Sequence, residues 1–385
     1  SLLPYVYCTI KSKCFLFGCK SVRICKEIGH SCARKICSYV KWPRRIVWKR
    51  IHGCAELLVK EMRPGAETWG LRDAAKRLKD GLAFLQVGEN PNLCARCCCR
   101  KNALTVVVAD AGQFYEEVSS EKACFALSNI VLEARLAGWT HVAVGHRKRR
   151  RAFLSTKPGG QNSAYFWFSL EDILRAFFGA MCVSLVSVGH LVAQMQGLPI
   201  GGLMSKVATS AVLATEEEAW LKNQARRFAH GFPFSDRSWP SCCLHLRYVD
   251  DVLLASRLLC RNCMCELLPI VYCVNFKVAA PDRFVTWLDM VVDCFTGEIF
   301  PKPRKFSTPP PWGTYPVLLR SLILGALLRA AEVSSTDRAV RIYMMNILVG
   351  LLEIGWSKRQ ICQVLFTISR PHLKQHIWFL RKAIH

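Results

Sequence analysis

Apolar positions change their spacing several times along this chain, and each change predicts a different element. Residues 1–60 alternate short apolar runs with Lys and Arg, which predicts strands and basic loops. Helical spacing runs through Glu56–Glu89, with a break at Pro64-Gly65. Leu104–Ala109 (LTVVVA) is a continuous, largely β-branched run, the pattern of a buried strand. Helices are expected over Lys122–Ala137 and near Ser169–Val183, with a strand near Ser187–Ala193. A glycine-rich turn at Gly197–Gly202 leads into a long helical stretch, Ser205–Phe228. Leu244–Tyr248 and Val252–Ala255 flank an acidic turn and read as a hairpin. Val271–Val278 and Trp287–Val292 are further predicted strands, and Pro301–Pro311 marks a boundary. Residues 315–385 are helical in pattern throughout. Gly355 fits a helix C′ position there, and Ser357 with Gln360 fits a capping box.

Composition adds a partner class. The 385 residues are 51% apolar and 21% charged, enough for two or three folded subdomains. The chain begins at Ser1 rather than Met, which reads as a fragment or processed piece. It carries 53 Lys and Arg against 28 Asp and Glu, a formal charge of +25. Such a field favours a polyanion, with counterion release driving binding to nucleic acid. A basic protein without such a partner is the alternative. The charge is uneven: residues 1–50 hold Glu27 as their one acid. A run Arg147-Lys148-Arg149-Arg150-Arg151 sits in a loop with Lys157-Pro158-Gly159-Gly160. It reads as a backbone-contact loop, a nuclear localisation signal or a solvated loop.

The 21 cysteines do not fit a disulfide scaffold, because such scaffolds are short and secreted. Reduced thiols in an intracellular compartment, nuclear or cytoplasmic, are expected instead. Cys94-x-x-Cys97 and Cys260-x-x-Cys263 have ligand-like spacing. No single segment holds two such pairs at the zinc-finger distance, so free thiols are expected rather than zinc. The longest apolar stretch, near Ala176–Gly189, is too short to span a membrane.

The sharpest chemistry lies at Asp250-Asp251. Adjacent carboxylates at a tight hairpin repel one another, and hard divalent cations are the usual compensation. Strand alternation points the two side chains apart, so a partner carboxylate should come from another strand. Asp110, closing the strand LTVVVA, is that candidate. Together they can hold two Mg²⁺ ions, with Mn²⁺ able to substitute, for in-line displacement of pyrophosphate by a hydroxyl.

These strings resemble a known family. RYVDDVLL resembles motif C of reverse transcriptases, and VVVADAGQFY resembles their motif A. The resemblance implies that Asp110, Asp250 and Asp251 are catalytic and metal-binding, and that Tyr115 excludes a 2′-hydroxyl. QMQGLPIGGLMSKVATSAVL resembles motif B, placing Gln194, Gly197 and Gly201 near the template–nucleotide pair. Ile200 and Lys206 depart from the Gln and Pro common there. An apolar residue at the first position, with Gln three residues before the first Gly, is similar to Penelope-like elements, a branch related to telomerase. LPYVYCTIKSKC and HSCARKICSY resemble fingers motifs, implying that Lys11, Lys13 and Arg34 contact the triphosphate, with Lys35 a weaker candidate. Trp287-Leu288-Asp289 resembles a primer-gripping hairpin, and Lys277 the lysine that protonates pyrophosphate.

The implied fold is an α+β right-hand polymerase with an antiparallel palm sheet and a helical thumb. The implied division is fingers at 1–103, palm at 104–124, a fingers–palm connection at 125–190, palm at 191–311 and thumb at 312–385. The implied partners are an RNA template, a DNA primer and deoxynucleoside triphosphates, with no membrane. An RNA-dependent RNA polymerase and a non-catalytic, nucleic-acid-binding relic of a transposable element are the alternatives.

Overall fold

A computed structural model describes residues 5–10, 33–38, 45–304 and 316–384, apart from 112–113, 147–150, 161–163, 183–184, 189–190, 195–197, 199–201, 203, 233, 235–238 and 273. Strands β1 (Tyr5–Ile10) and β2 (Ala33–Ser38) precede helices α1 (Arg45–Met62) and α2 (Leu71–Phe84). Helix α1 starts earlier than expected. Ile51, Cys54, Ala55, Leu58 and Val59 are buried at helical spacing, but interleaved Lys and Arg masked the period. Strand β3 (Thr105–Asp110) is the buried run read from the sequence, and α3 (Phe114–Glu117) and α4 (Ser120–Leu136) follow.

Strands β4 (His141–Gly145), β5 (Phe153–Ser155) and β6 (Tyr165–Ser169) lead to α5 (Leu170–Cys182). The strand expected near Ser187–Ala193 is a hairpin of β7 (Leu185–Val188) and β8 (Leu191–Gln194). The long helix stops early: α6 (Ser205–Lys222) ends where Asn223 leaves helical geometry, and α7 (Gln224–Ala229) and α8 (Trp239–Cys242) are separate.

The predicted hairpin is present as β9 (Leu244–Tyr248) and β10 (Asp251–Ser256). Helix α9 (Arg261–Val271) ends at the first residue of the strand expected over Val271–Val278, of which β11 keeps only Lys277–Val278. Its buried residues Cys263, Met264, Leu267, Leu268 and Val271 follow helical spacing, a period that the internal Pro269 obscured. Strands β12 (Phe284–Trp287), β13 (Met290–Asp293) and β14 (Ile299–Pro301) form an antiparallel meander. Helices α10 (Pro316–Val333), α11 (Asp337–Glu353), α12 (Lys358–Thr367) and α13 (Lys374–Ile384) complete the described chain. Ser357 and Gln360 form the expected capping box, and Gly355, at φ 101°, ends α11.

The chain divides into two compact units. One contains Ser1–Glu67, Ala111–Asn223 and Val271–Asn275. There α6 is buried on most of its faces, which suits its small Ala, Ser and Thr side chains, and α1 and α4 pack on it. Several polar groups in this core are paired. Ser210 donates to Glu67 and Tyr272 to Glu217, each at 2.6 Å, and buried Arg63 ion-pairs with Glu133 and Glu218.

The other unit contains Thr68–Asp110, Gln224–Ile270 and Phe276–His385. Its principal sheet has strand order β11-β3-β10-β9, antiparallel throughout. Leu78 and Leu82 of α2 pack beneath it with Leu104, Val106, Leu246, Leu253 and Trp287. Helix α2 comes so close to β9 that a Cβ on Gly81 would clash with the Leu244 side chain. The C-terminal helices bury a separate core, including Leu327, Met344, Leu351, Trp356 and Leu365. No helix among the described residues is long and apolar enough to cross a membrane. The described cysteines form no disulfides.

Candidate active site

The acidic turn is a two-residue hairpin loop. Tyr248 pairs with Asp251 across β9 and β10, leaving Val249 and Asp250 as the turn residues. Val249 has φ 59°, a region that a β-branched residue avoids. Such a conformation costs about 1–3 kcal/mol and persists only where its surroundings enforce it. Here they do. Fully buried Arg247 donates from Nη1 to the Val249 carbonyl at 3.3 Å. The Arg247 carbonyl in turn accepts from the Thr68 amide at 2.7 Å and its hydroxyl at 3.0 Å. Buried Trp287 donates from Nε1 to the Asp251 carbonyl at 3.4 Å, a long bond.

Register then assembles the acids. Asp251 on β10 lies opposite Asp110 on β3, and Lys277 on β11 lies opposite Asp110 from the other side. Residues directly opposed in an antiparallel ladder share a face, with Cβ atoms about 4.5–5.5 Å apart. Lys277, Asp110 and Asp251 therefore form one row across three strands, with Asp250 at the turn beside it. Asp110 and Lys277 are exposed, whereas Asp250 and Asp251 are half-buried. Two like charges directly opposed destabilise a ladder, and the cation of Lys277 in the same row acts against that. The donor set is all oxygen, the chemistry that suits hard divalent cations.

Tyr115 belongs to the other unit, half-buried on α3. Its carbonyl accepts from the Leu198 amide at 2.7 Å, so the expected motif A aromatic and the glycine-rich segment are joined by backbone. Lys206, one of the departures in that segment, ion-pairs with Glu56 of α1. Lys11, Lys13, Gly197 and Gly201 lie outside the described residues, as does most of the basic run at 147–151. Arg34 and Gln194 lie in β2 and β8, where the backbone is described and their side chains are not. Trp287-Leu288-Asp289 does form a hairpin: Trp287 pairs with Met290, and Leu288 has φ 52°. Asp289 is ion-paired with Arg329 of α10 at 3.1 Å.

Two supporting residues were not singled out from the sequence. Arg247 lies inside the string RYVDD but its role is structural, holding the turn from behind. Its one signal is a charged residue at a position where strand alternation points inward. The bond from Trp287 to Asp251 had no sequence signal, since the two are 36 residues apart.

In sequence, the chain matches no family profile and no curated protein. In structure, it is similar to telomerase. A Candida albicans telomerase in complex with a three-way-junction (TWJ) fragment of telomeric RNA aligns at TM-score 0.55 and 14% identity, over 88% of this chain and 56% of that one. An apo telomerase from Candida tropicalis aligns at TM-score 0.54 and 12% identity, over 95% and 60%. The complex of the Candida tropicalis enzyme with the same kind of RNA fragment aligns at TM-score 0.51 and 14% identity, over 87% and 55%. The chain spans little more than half the length of these structures. At such identities the likeness concerns the fold: mixed helix and antiparallel sheet, of the kind found in telomerase.

Proposed function

We propose that this chain is the polymerase core of an RNA-directed DNA polymerase from a retroelement of the Penelope-like branch. The observation that carries the reading is the cross-strand row of Asp110 and Asp251, with Asp250 at the adjoining turn. The telomerase-like fold supports the same reading. In it, the β11-β3-β10-β9 sheet is the palm and α10–α13 the thumb.

Asp110, Asp250 and Asp251 are the residues that would hold two Mg²⁺ ions. Bound there, the ions would supply activation of the primer 3′-hydroxyl and neutralisation of the leaving pyrophosphate. The protein's own contribution is positional. Buried Arg247 and Trp287 fix the turn, so the carboxylates need little reorganisation when charge develops. Lys277, in the same row, would give a proton to the departing pyrophosphate. Tyr115 selects deoxynucleotides by blocking a 2′-hydroxyl. The excess of Lys and Arg draws template and primer, which makes binding strongly salt-dependent.

Primer extension tests the reading. The purified chain, given an RNA template, a DNA primer, Mg²⁺ and deoxynucleotides, should extend the primer, and Asp250→Asn should not. Equal extension by the variant contradicts the assignment. Tyr115→Ala should raise ribonucleotide incorporation, and a wild-type preference for ribonucleotides would point to an RNA polymerase instead.

A further inference from the structure

Four cysteines meet at the opposite end of the β3–β10 pair. The Sγ atoms of Cys94, Cys97, Cys99 and Cys260 all lie within 4.8 Å of one another. Three come from one short loop, and the fourth comes from the turn between β10 and α9. The loop is folded as a knuckle. Cys94 donates its amide to the Cys99 carbonyl at 2.9 Å, and Cys98 donates to the Cys94 carbonyl at 3.0 Å. Cys98 adopts φ 56°, and an antiparallel bridge between Leu93 and Arg100 closes the base.

The knuckle is docked onto the second segment by backbone and sulfur. Ala95 donates its amide to the Leu258 carbonyl at 2.9 Å, and Cys260 donates its amide to Cys94 Sγ at 3.3 Å. Arg96 ion-pairs with Glu266 of α9 and lies 4.5 Å above the Phe232 ring. Two of the thiols, Cys97 and Cys99, are exposed, so hydrophobic burial does not account for their convergence.

We propose that Cys94, Cys97, Cys99 and Cys260 bind one zinc ion that clips the loop before β3 to the segment after β10. A tetrahedral zinc–thiolate site has Zn–S bonds of about 2.3 Å, which puts sulfurs about 3.8 Å apart. Cys97 and Cys260 already stand 3.6 Å apart, and Cys97 and Cys99 3.3 Å. The remaining sulfur pairs lie within 4.8 Å of one another, so adjustments of about 1 Å or less would complete the tetrahedron. Cys263, 3.7 Å from Cys94, lies just outside the four as a neighbouring thiol. Amides aimed at the Cys94 and Cys260 sulfurs stabilise thiolate charge, as ligand sulfurs require. The ion would pin the ends of the two strands that carry Asp110 and Asp251 at their far ends.

Elemental analysis of the full chain, purified without chelator, tests this. About one zinc per chain is expected. The double variant Cys94→Ser, Cys260→Ser should fall at least tenfold in zinc content, while Cys98→Ser should keep it. Because the double variant could lose its fold, the wild type supplies a second readout. Exchange with Co²⁺ should give sulfur-to-metal charge transfer and the intense visible bands of a tetrahedral tetrathiolate. A metal-free wild type that takes up no Co²⁺, zinc retained in the double variant, or an iron–sulfur spectrum would overturn the proposal.

Discussion

The two ends of the β3–β10 pair carry opposite chemistry. At one end stand hard oxygen donors, Asp110 opposite Asp251, with Asp250 at the turn. At the other, about 17 Å along the strands, stand the soft sulfur donors Cys94, Cys97, Cys99 and Cys260. The first end is strained and partly open to solvent, as a site that must admit substrate needs to be. The second is a knuckle closed by its own backbone hydrogen bonds. On the two proposals the same ladder would separate a reactive metal chemistry from a structural one, and removing either should affect different observables.

The largest effect is expected at the oxygen end. Asp110→Asn or Asp251→Asn should cut primer extension roughly 10³-fold, about 4 kcal/mol of transition-state stabilisation. Thermal midpoint should stay constant or rise, because a like-charge pair is relieved. A variant that loses its midpoint along with its activity would blur the distinction between the ends.

At the sulfur end the order reverses. Stripping the metal with a strong chelator should cost about 3 kcal/mol of stability, a fall of roughly 5–10 °C in midpoint. Residual extension measured well below that midpoint should drop less than for the Asp variants. An unchanged midpoint would remove the structural role.

The oxygen end was legible because its signals are local. RYVDDVLL and VVVAD each sit within one strand or hairpin, so short-range spacing was enough to bring Asp110 to the Asp250-Asp251 turn, although it was expected to face Asp250 and the register sets it opposite Asp251. The sulfur end was not legible. Its ligands come from two segments more than 160 residues apart, and tertiary structure, the pairing of β3 with β10 included, unites them. Neither cysteine pair alone holds four ligands, so the sequence favoured free thiols. The same distinction runs through the fold. The β-branched β3, the capping box at Ser357 and the hairpin at Tyr248–Asp251 follow from local pattern. Helix α9 was hidden by Pro269 and its cysteines, and the basic face of α1 masked its buried stripe.

Backbone strain sharpens the comparison further. Val252→Gly, in the buried body of β10, should cost about 3 kcal/mol through lost packing and added chain entropy. Val249→Gly, three residues earlier, should stay within about 1 kcal/mol of the parent, since relief of the positive φ offsets that entropy. Chemical denaturation distinguishes them, and equal costs would show that the turn at Val249 is not strained.

The smallest effect concerns acid. Hydrogen bonding to Arg283 holds the Asp293 carboxyl at about 2, below its ordinary 3.8. A depressed folded-state value stabilises the protein above the unfolded value, and the gain is lost as pH falls. Asp293→Asn should therefore flatten the decline in stability between about pH 4 and pH 2. Because the Arg283 side chain is 57% exposed, added salt should shrink the difference. An unaltered pH profile would discount the pair.

Diffraction from one crystal at two absorption edges reaches both ends at once. After a soak in Mn²⁺ as a visible substitute for Mg²⁺, anomalous maps at the manganese and zinc edges locate each metal independently. Manganese is expected among Asp110, Asp250 and Asp251, and zinc among Cys94, Cys97, Cys99 and Cys260. Manganese absent from the carboxylates while bound elsewhere, or zinc absent from the cysteines, would contradict that expectation.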